Sequence, residues 1–302
     1  MLDVLMRAGC FVSIIVLGYL LKRLGVFKDS DFSIISKIVL KITLPAAIIT
    51  NFANKALDPS MFILTLLSIC FGIIYILLGF ILNLRNSKEQ KAFEILNFPG
   101  YNIGCFALPF VQNFLGPTGV IATCLFDIGN GFICLGGAFS IATMVKDGAK
   151  FSFKRIIRTL LKSVPFILYL IMPFLCLSHI RVPVMIISLA EIVGNANAFL
   201  AMFMLGIGFQ LTADKSQIGR ILKVICVRFG VAALLAAFCY FALPFSLEVR
   251  KALVLLVFSP IGSAVPAFTS EMKSDVGLSS AANSVSILCS LVFMVLLLVL
   301  IP

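Results

Sequence analysis

The sequence predicts an all-α polytopic membrane protein: ten transmembrane helices arranged as two inverted five-helix repeats, with helices 4 and 9 broken and crossed. Three observations predict it. Of the 302 residues, 61% are hydrophobic and 12% charged, against about 45–50% and about 25% in soluble domains. Turn signals divide the chain into ten apolar runs. An interruption rich in proline, glycine and asparagine, in the run that begins near Lys91, has a counterpart in the run that begins near Lys251.

The ten segments span roughly residues 4–24, 32–53, 60–83, 90–114, 118–145, 156–178, 183–211, 219–243, 248–272 and 277–301, close to the ~20 residues a bilayer crossing needs. The first begins at Val4 with no small-residue cleavage site behind a short apolar core, so it is expected to be a retained span rather than a signal peptide. The second carries Lys37, Lys41 and Pro45. The fourth contains "NFPGYNIGCFALPF", the fifth Asp127 and Asn130, and the seventh Glu191, Asn195, Asn197 and Gln210. The second, fourth, seventh and ninth are the least uniformly apolar. Residues 1–145 form the first expected repeat, 146–158 a cytoplasmic linker and 159–302 the second repeat.

Charge sets the expected orientation. With the N-terminus outside, 16 of the 24 lysines and arginines fall in inner loops and 5 outside. That bias favours both termini outside a cell (inner) membrane and the loop 146–158 in the cytoplasm. The net charge of +11 thus reflects topology, not a nucleic-acid partner. The nine cysteines include no C-x-x-C pair and fall mainly in apolar runs, where cysteine behaves as a small hydrophobe; no disulfide or metal site is expected. The single histidine, His179, stands at a membrane edge.

The repeat is explicit. Lys91-Ala92 matches Lys251-Ala252, Leu96-x-Phe98 matches Leu256-x-Phe258, and Pro99-Gly100 answers Ser259-Pro260. Further on, Ala107-Leu108-Pro109-Phe110 answers Ala264-Val265-Pro266-Ala267. Five spans per half make the second copy enter the membrane inverted. Inverted repeats with paired broken helices point to a secondary transporter with its site near the midplane. Unpaired backbone in hydrocarbon costs several kcal/mol, so it persists only where it is buried in protein or lines a wet cavity. Each break also creates a half-helix N-terminus, and two facing ends suit an anion. A pair of simple proline kinks is the bland alternative.

The stretch "NFPGYNIGCFALPFVQNFLGPTGVIATCLFDIGN" resembles the fourth and fifth spans of the auxin efflux carrier family. The resemblance implies a fold shared with bile acid transporters and sodium/proton antiporters, with a scaffold from spans 1, 2, 6 and 7 and a moving core from spans 3–5 and 8–10. It also implies small organic anions as substrates: malate, malonate and similar acids in bacterial relatives, auxin in plants. By the same resemblance Asn102, Gly104 and Pro109 match the first crossover, Pro260 and Pro266 the second. Asp127 and Asn130 match the acidic and amide positions of the fifth span, and Pro45 the second-span proline facing the site. Asn197 stands where the repeat would put a proline, a departure on the scaffold side.

Expected substrate-binding residues are therefore Asn97, Asn102, Gly104, Pro109, Ser259, Pro260, Gly262, Ser263, Pro266, Pro45 and Asn197. Expected ion-coupling residues are Asp127, Asn130, Asn283 and Ser284. A carboxylate in a span marks an ion or proton path, and Asn130 lies on the same helix face. Asp127 either takes a proton, binds Na⁺ with hard oxygens that include "AANSVS" (Asn283, Ser284, Ser286), or locks packing with Asn130. Lys37 and Lys41 either snorkel to the cytoplasmic edge, or Lys41 draws anions inward. Glu191 is either interfacial or functional. Arg228 is expected to snorkel, and Glu271, Lys273 and Asp275 to form a solvated turn. A homodimer is compatible with the sequence, and the lipid bilayer is the one certain surrounding.

The expected function is a secondary carrier of small organic anions, with Na⁺ or H⁺ as coupling ion and no other cofactor. The alternative is an antiporter of inorganic ions on the same fold, but such a site calls for more acids than Asp127. H-E-x-x-H, D-D-x-x-D, G-x-S-x-G and P-loop motifs are absent, so no enzymatic role and no direct drive by ATP is expected.

Overall fold

The computed structural model describes residues 2–210 and 215–301; residues 1, 211–214 and 302, and with them the expected end of the seventh segment at 211, lie outside the described residues. Every regular element among them is helical. We number thirteen helices. The first six are α1 Leu2–Arg23, α2 Asp31–Phe52, α3 Pro59–Ile81, α4 Lys88–Asn97, α5 Ile103–Phe114 and α6 Pro117–Asp147. The next four are α7 Phe153–Leu160, α8 Val164–Leu177, α9 Val184–Ile207 and α10 Ile218–Phe241. The last three are α11 Leu247–Val257, α12 Val265–Glu271 and α13 Val276–Leu300.

Seven of these are long and apolar enough to cross a membrane, and the α7–α8 pair makes an eighth if counted as one bent span. The chain is therefore a multi-pass membrane protein. The two remaining expected segments, 90–114 and 248–272, are broken: neither α4, α5, α11 nor α12 is long enough alone. The sixth expected segment is not straight. It turns by 80° between α7 and α8, because Ser163 caps a new helix by accepting from the Phe166 N–H at 3.4 Å and Pro165 occupies its first turn. As a result, α7 is a helix inside what the sequence suggests is linker.

Local chemistry explains the other irregularities. The turns at Val39–Thr43 and Ile103–Ala107 are π-helical, and each ends two residues before a proline, Pro45 or Pro109. A proline has no N–H to give and its ring clashes with the carbonyl four residues back; a widened turn relieves both. The first break is shaped by Pro99-Gly100, with Gly100 at φ +80°, a conformation that a side chain would strain. Ser87 and Ser246 cap α4 and α11 alike, each accepting from the N–H three residues on, at 3.2 and 3.5 Å.

Helix α1 lies along α9, and α2 packs against both α9 and α8. The other set joins α3 to α6 and α4, and α10 to α11 and α13, with α11 also packed on α6. Close approach at these crossings uses glycine, as membrane helices do: a Cβ on Gly206 would stand 2.1 Å from the Ile15 carbonyl oxygen, and one on Gly129 would stand 2.1 Å from that of Thr65. On α4, Glu94 is 2% exposed. It accepts from Lys223 at 2.8 Å and from the Asn83 amide, so its charge is paired where water cannot reach it.

Candidate functional site

The two breaks meet. The Asn102 N–H donates to the Pro260 carbonyl at 2.9 Å, joining the middle of the first interruption to the middle of the second. Each break is then held by a long helix further along the chain, α6 for the first and α13 for the second. Asn130 on α6 accepts from the Tyr101 N–H and donates to the Tyr101 carbonyl, both at 2.8 Å. On α13, Ser286 Oγ accepts from the Ile261 N–H at 3.0 Å, and Asn283 donates to the Ile261 and Gly262 carbonyls at 3.2 and 3.3 Å. Backbone groups freed by the breaks are thus satisfied internally, which is the condition for irregular chain at membrane depth.

The sequence reading of Arg228 needs correcting. Arg228 does not snorkel: it is 2% exposed, near the middle of the 24 residues of α10, too deep for its stem to reach either surface. Its guanidinium donates to the Phe98 carbonyl and to the Ser259 carbonyl at 3.1 Å. Those two oxygens close the helices that precede the two breaks. The guanidinium also sits 5.7 Å from the ring centroids of both Tyr75 and Tyr101, and the Tyr75 hydroxyl donates to the Arg228 carbonyl at 2.8 Å. A fork with five donors spans two acceptors that a lysine could not.

Beside the meeting point lies a cavity of about 360 Å³, within the range of small-molecule sites. Of the expected residues, Asn102, Gly104, Asp127, Asn130, Gly262 and Ser263 line it. Lys41, an exposed side chain, lines it too. Asp127 accepts from the Asn130 amide at 2.8 Å and is the one acid among the lining residues. The Asn102 Nδ2, on a side chain 4% exposed, has no hydrogen-bond partner. Tyr101, Cys134, Lys162, Ser163 and Tyr169 also contribute. A Cβ on Gly262 would stand 2.4 Å from Cys134 Sγ and one on Gly100 3.2 Å, so that thiol lies between the two breaks.

Other expected residues stand elsewhere. Pro266 and Asn283 line a second cavity, of about 210 Å³, which shares Ser263 with the first. Ser284 accepts from the Gln210 N–H at 3.0 Å. Asn283 and Ser284 therefore do not join Asp127 in one ligand set, and no cluster of three or more His, Cys, Asp or Glu is present among the described residues. Asn97 accepts from Ser279 at 2.6 Å, tying α4 to α13. Asn197 accepts from Thr43 at 3.0 Å, tying α9 to α2. Pro45 and Pro109 are buried at their widened turns, and the carbonyls of Ser259 and Pro260 accept the bonds described above. Glu191 and Lys37 are exposed and line none of these cavities. The turn at 271–275 is a tie point, not a free loop: Glu271 pairs with Arg155, and Lys146 donates to the Met272 and Lys273 carbonyls at 2.9 and 3.1 Å. A larger cavity, about 590 Å³ between residues 52–59 and 172–182, holds none of the expected site residues.

A family model described as membrane transport protein matches residues 10–155. That stretch runs from within α1 to the start of α7 and includes the first break, Asp127 and Asn130. No curated protein matches the chain.

Proposed function

Residues 10–155 mark the chain as a membrane transporter similar to the auxin efflux carriers, and from that premise we propose that it is a secondary carrier of small organic anions working by alternating access. The ten expected spans are read as two inverted five-helix repeats. Spans 1, 2, 6 and 7 serve as scaffold, and spans 3–5 and 8–10, including both broken helices, as the moving core. The packing of α1, α2, α8 and α9 among themselves supports that division.

The observation that carries the reading is Arg228 bridging the two breaks. Four half-helix ends converge there, two negative carbonyl ends and two positive amide ends. Left alone, they would nearly cancel. The buried guanidinium neutralises the carbonyl ends at Phe98 and Ser259, and leaves the amide ends at 102–105 and 262–264 on the cavity wall. With Lys41 and Lys162 beside them, the cavity favours negative charge. Asn102 Nδ2 offers a donor with nothing else to bind. Asp127 opposes an incoming carboxylate until its own charge is removed by a proton or offset by Na⁺, and this repulsion couples the anion to a cation. With Asp127 the only acid on the wall, an organic-anion carrier fits better than an antiporter of inorganic ions.

The test is thermal stability of the purified protein against malate, malonate and an indole carboxylate, with and without Na⁺ and at two pH values. A ligand at about a hundred times its Kd adds about 2.7 kcal/mol of stability, so a carboxylate should raise the midpoint. Asn102→Ala should abolish the shift, and Asp127→Asn should remove its dependence on Na⁺ or pH. Stabilisation by inorganic cations alone would overturn the organic-anion assignment.

A further inference from the structure

Helix α7 presents a bare cationic face. Lys154 and Arg158 stand four residues apart on it, so their charges stack and repel. Lys150 precedes the helix and Lys162 follows it, at the same four-residue interval, and Asp147 is the only acid between residues 146 and 162. Among the described residues none of these four cations has an acidic partner. Arg155 is the exception, being paired with Glu271 on α12. Large apolar side chains flank the cations: Phe151, Phe153 and Leu161 are 49%, 61% and 57% exposed. A soluble surface has no use for that combination, whereas a helix lying in a bilayer interface does. The 80° turn from α8 sets α7 across the direction of a membrane-crossing helix, the attitude such a helix needs.

The other face of α7 reaches the transport machinery. Ile156 and Leu160 are 3% and 0% exposed. Ile156 packs where a Cβ on Gly136 would stand, 3.2 Å away, and Leu160 lies 3.7 Å from the same point on Gly131. Both glycines belong to α6, the helix of Asp127 and Asn130. Thr159, Lys162 and Ser163 line the central cavity.

We propose that the unpaired cations Lys150, Lys154 and Arg158 bind the headgroups of anionic phospholipids, and that this binding presses α7 onto α6 beside the cavity. The lipid neutralises the stacked charges, the flanking aromatics enter the headgroup boundary, and the buried face transmits the contact to α6.

The experiment uses full-length protein in nanodiscs of phosphatidylcholine alone, or of phosphatidylcholine mixed with phosphatidylglycerol, and reads hydrogen exchange across residues 153–160. Phosphatidylglycerol should slow exchange, and salt should reverse the effect. The double variant K154Q/R158Q should lower apparent affinity for the anionic lipid about thirty-fold, at roughly five-fold per basic residue near an anionic surface, while its thermal midpoint in phosphatidylcholine stays at the wild-type value. Equal exchange in the two bilayers overturns the proposal, as does an undiminished lipid response in the variant. Should the variant not fold, the wild-type salt titration decides: protection that persists unchanged at high salt overturns it. Glycerol phosphate reproducing the protection in phosphatidylcholine discs would assign the face to a soluble anion and overturn the lipid assignment.

Discussion

Arg228 holds its charge in mid-span, where two backbone oxygens meet it. Removing it leaves the Phe98 and Ser259 carbonyls without a donor, and an unsatisfied buried group costs about 1–3 kcal/mol. Arg228→Met should therefore lower the thermal midpoint in detergent markedly. Arg228→Lys should fall between that variant and wild type, because a single ammonium keeps the charge but cannot span both acceptors. A wild-type midpoint in both variants would remove Arg228 from the architecture of the breaks. The sequence signal was available: of the three charges in α10, Arg220 and Lys223 lie near its start, whereas Arg228 lies too far from either end to snorkel. Asn102, Asp127 and Asn130 were legible because amides and acids are expensive in a span. Their directions were not. Asn97 and Asn102 look equivalent on paper, yet the turn at Pro99-Gly100 sends one into the packing against Ser279 and the other onto the cavity wall.

At the scale of elements, composition disclosed where apolar helices run and where proline and glycine stop them. It did not disclose which glycines carry crossings, because a glycine at a helix contact and one in a loop are the same letter. Gly206 is the clearest case. Any side chain there meets the Ile15 carbonyl and the Tyr19 N–H on α1, and main chain cannot rotate away as a side chain can. Gly206→Val should destabilise the protein by about 1–3 kcal/mol or more, seen as a lower thermal midpoint, whereas Gly219→Val, with open space around it, should leave the midpoint unchanged or slightly raised, because valine is the better helix former. The sharp turn into α8 also escapes the ten-run division, which carries one run through Arg158, Lys162 and Ser163; Ser163 followed by Pro165 is the local sign.

For the whole molecule, bonds between the halves outnumber what a linker would require. Glu248 accepts from the Gly119 N–H at 2.7 Å, Ser279 donates to Asn97, Lys146 reaches the end of α12 and the breaks join at Asn102 and Pro260. Neither half can satisfy its buried polar groups alone. A chain cut at Gly148, an exposed residue with left-handed backbone, should still assemble when both pieces are made together, and should fail to accumulate when residues 1–148 are made alone. Co-purification of the two pieces from membranes measures this, and an intact, monodisperse N-terminal piece would refute it. The two interruptions were legible from their prolines, but the interlock was not, since hydrogen bonds between residues 126 to 182 positions apart leave no local pattern.

The joint between Asn102 and Pro260 is made by main-chain atoms on both sides. Such a contact is written in the path of the chain and not in its letters, so substitution at either position leaves it intact as long as the path survives. A side chain at either position can therefore change its chemistry while the bond that closes the two interruptions stays where it is.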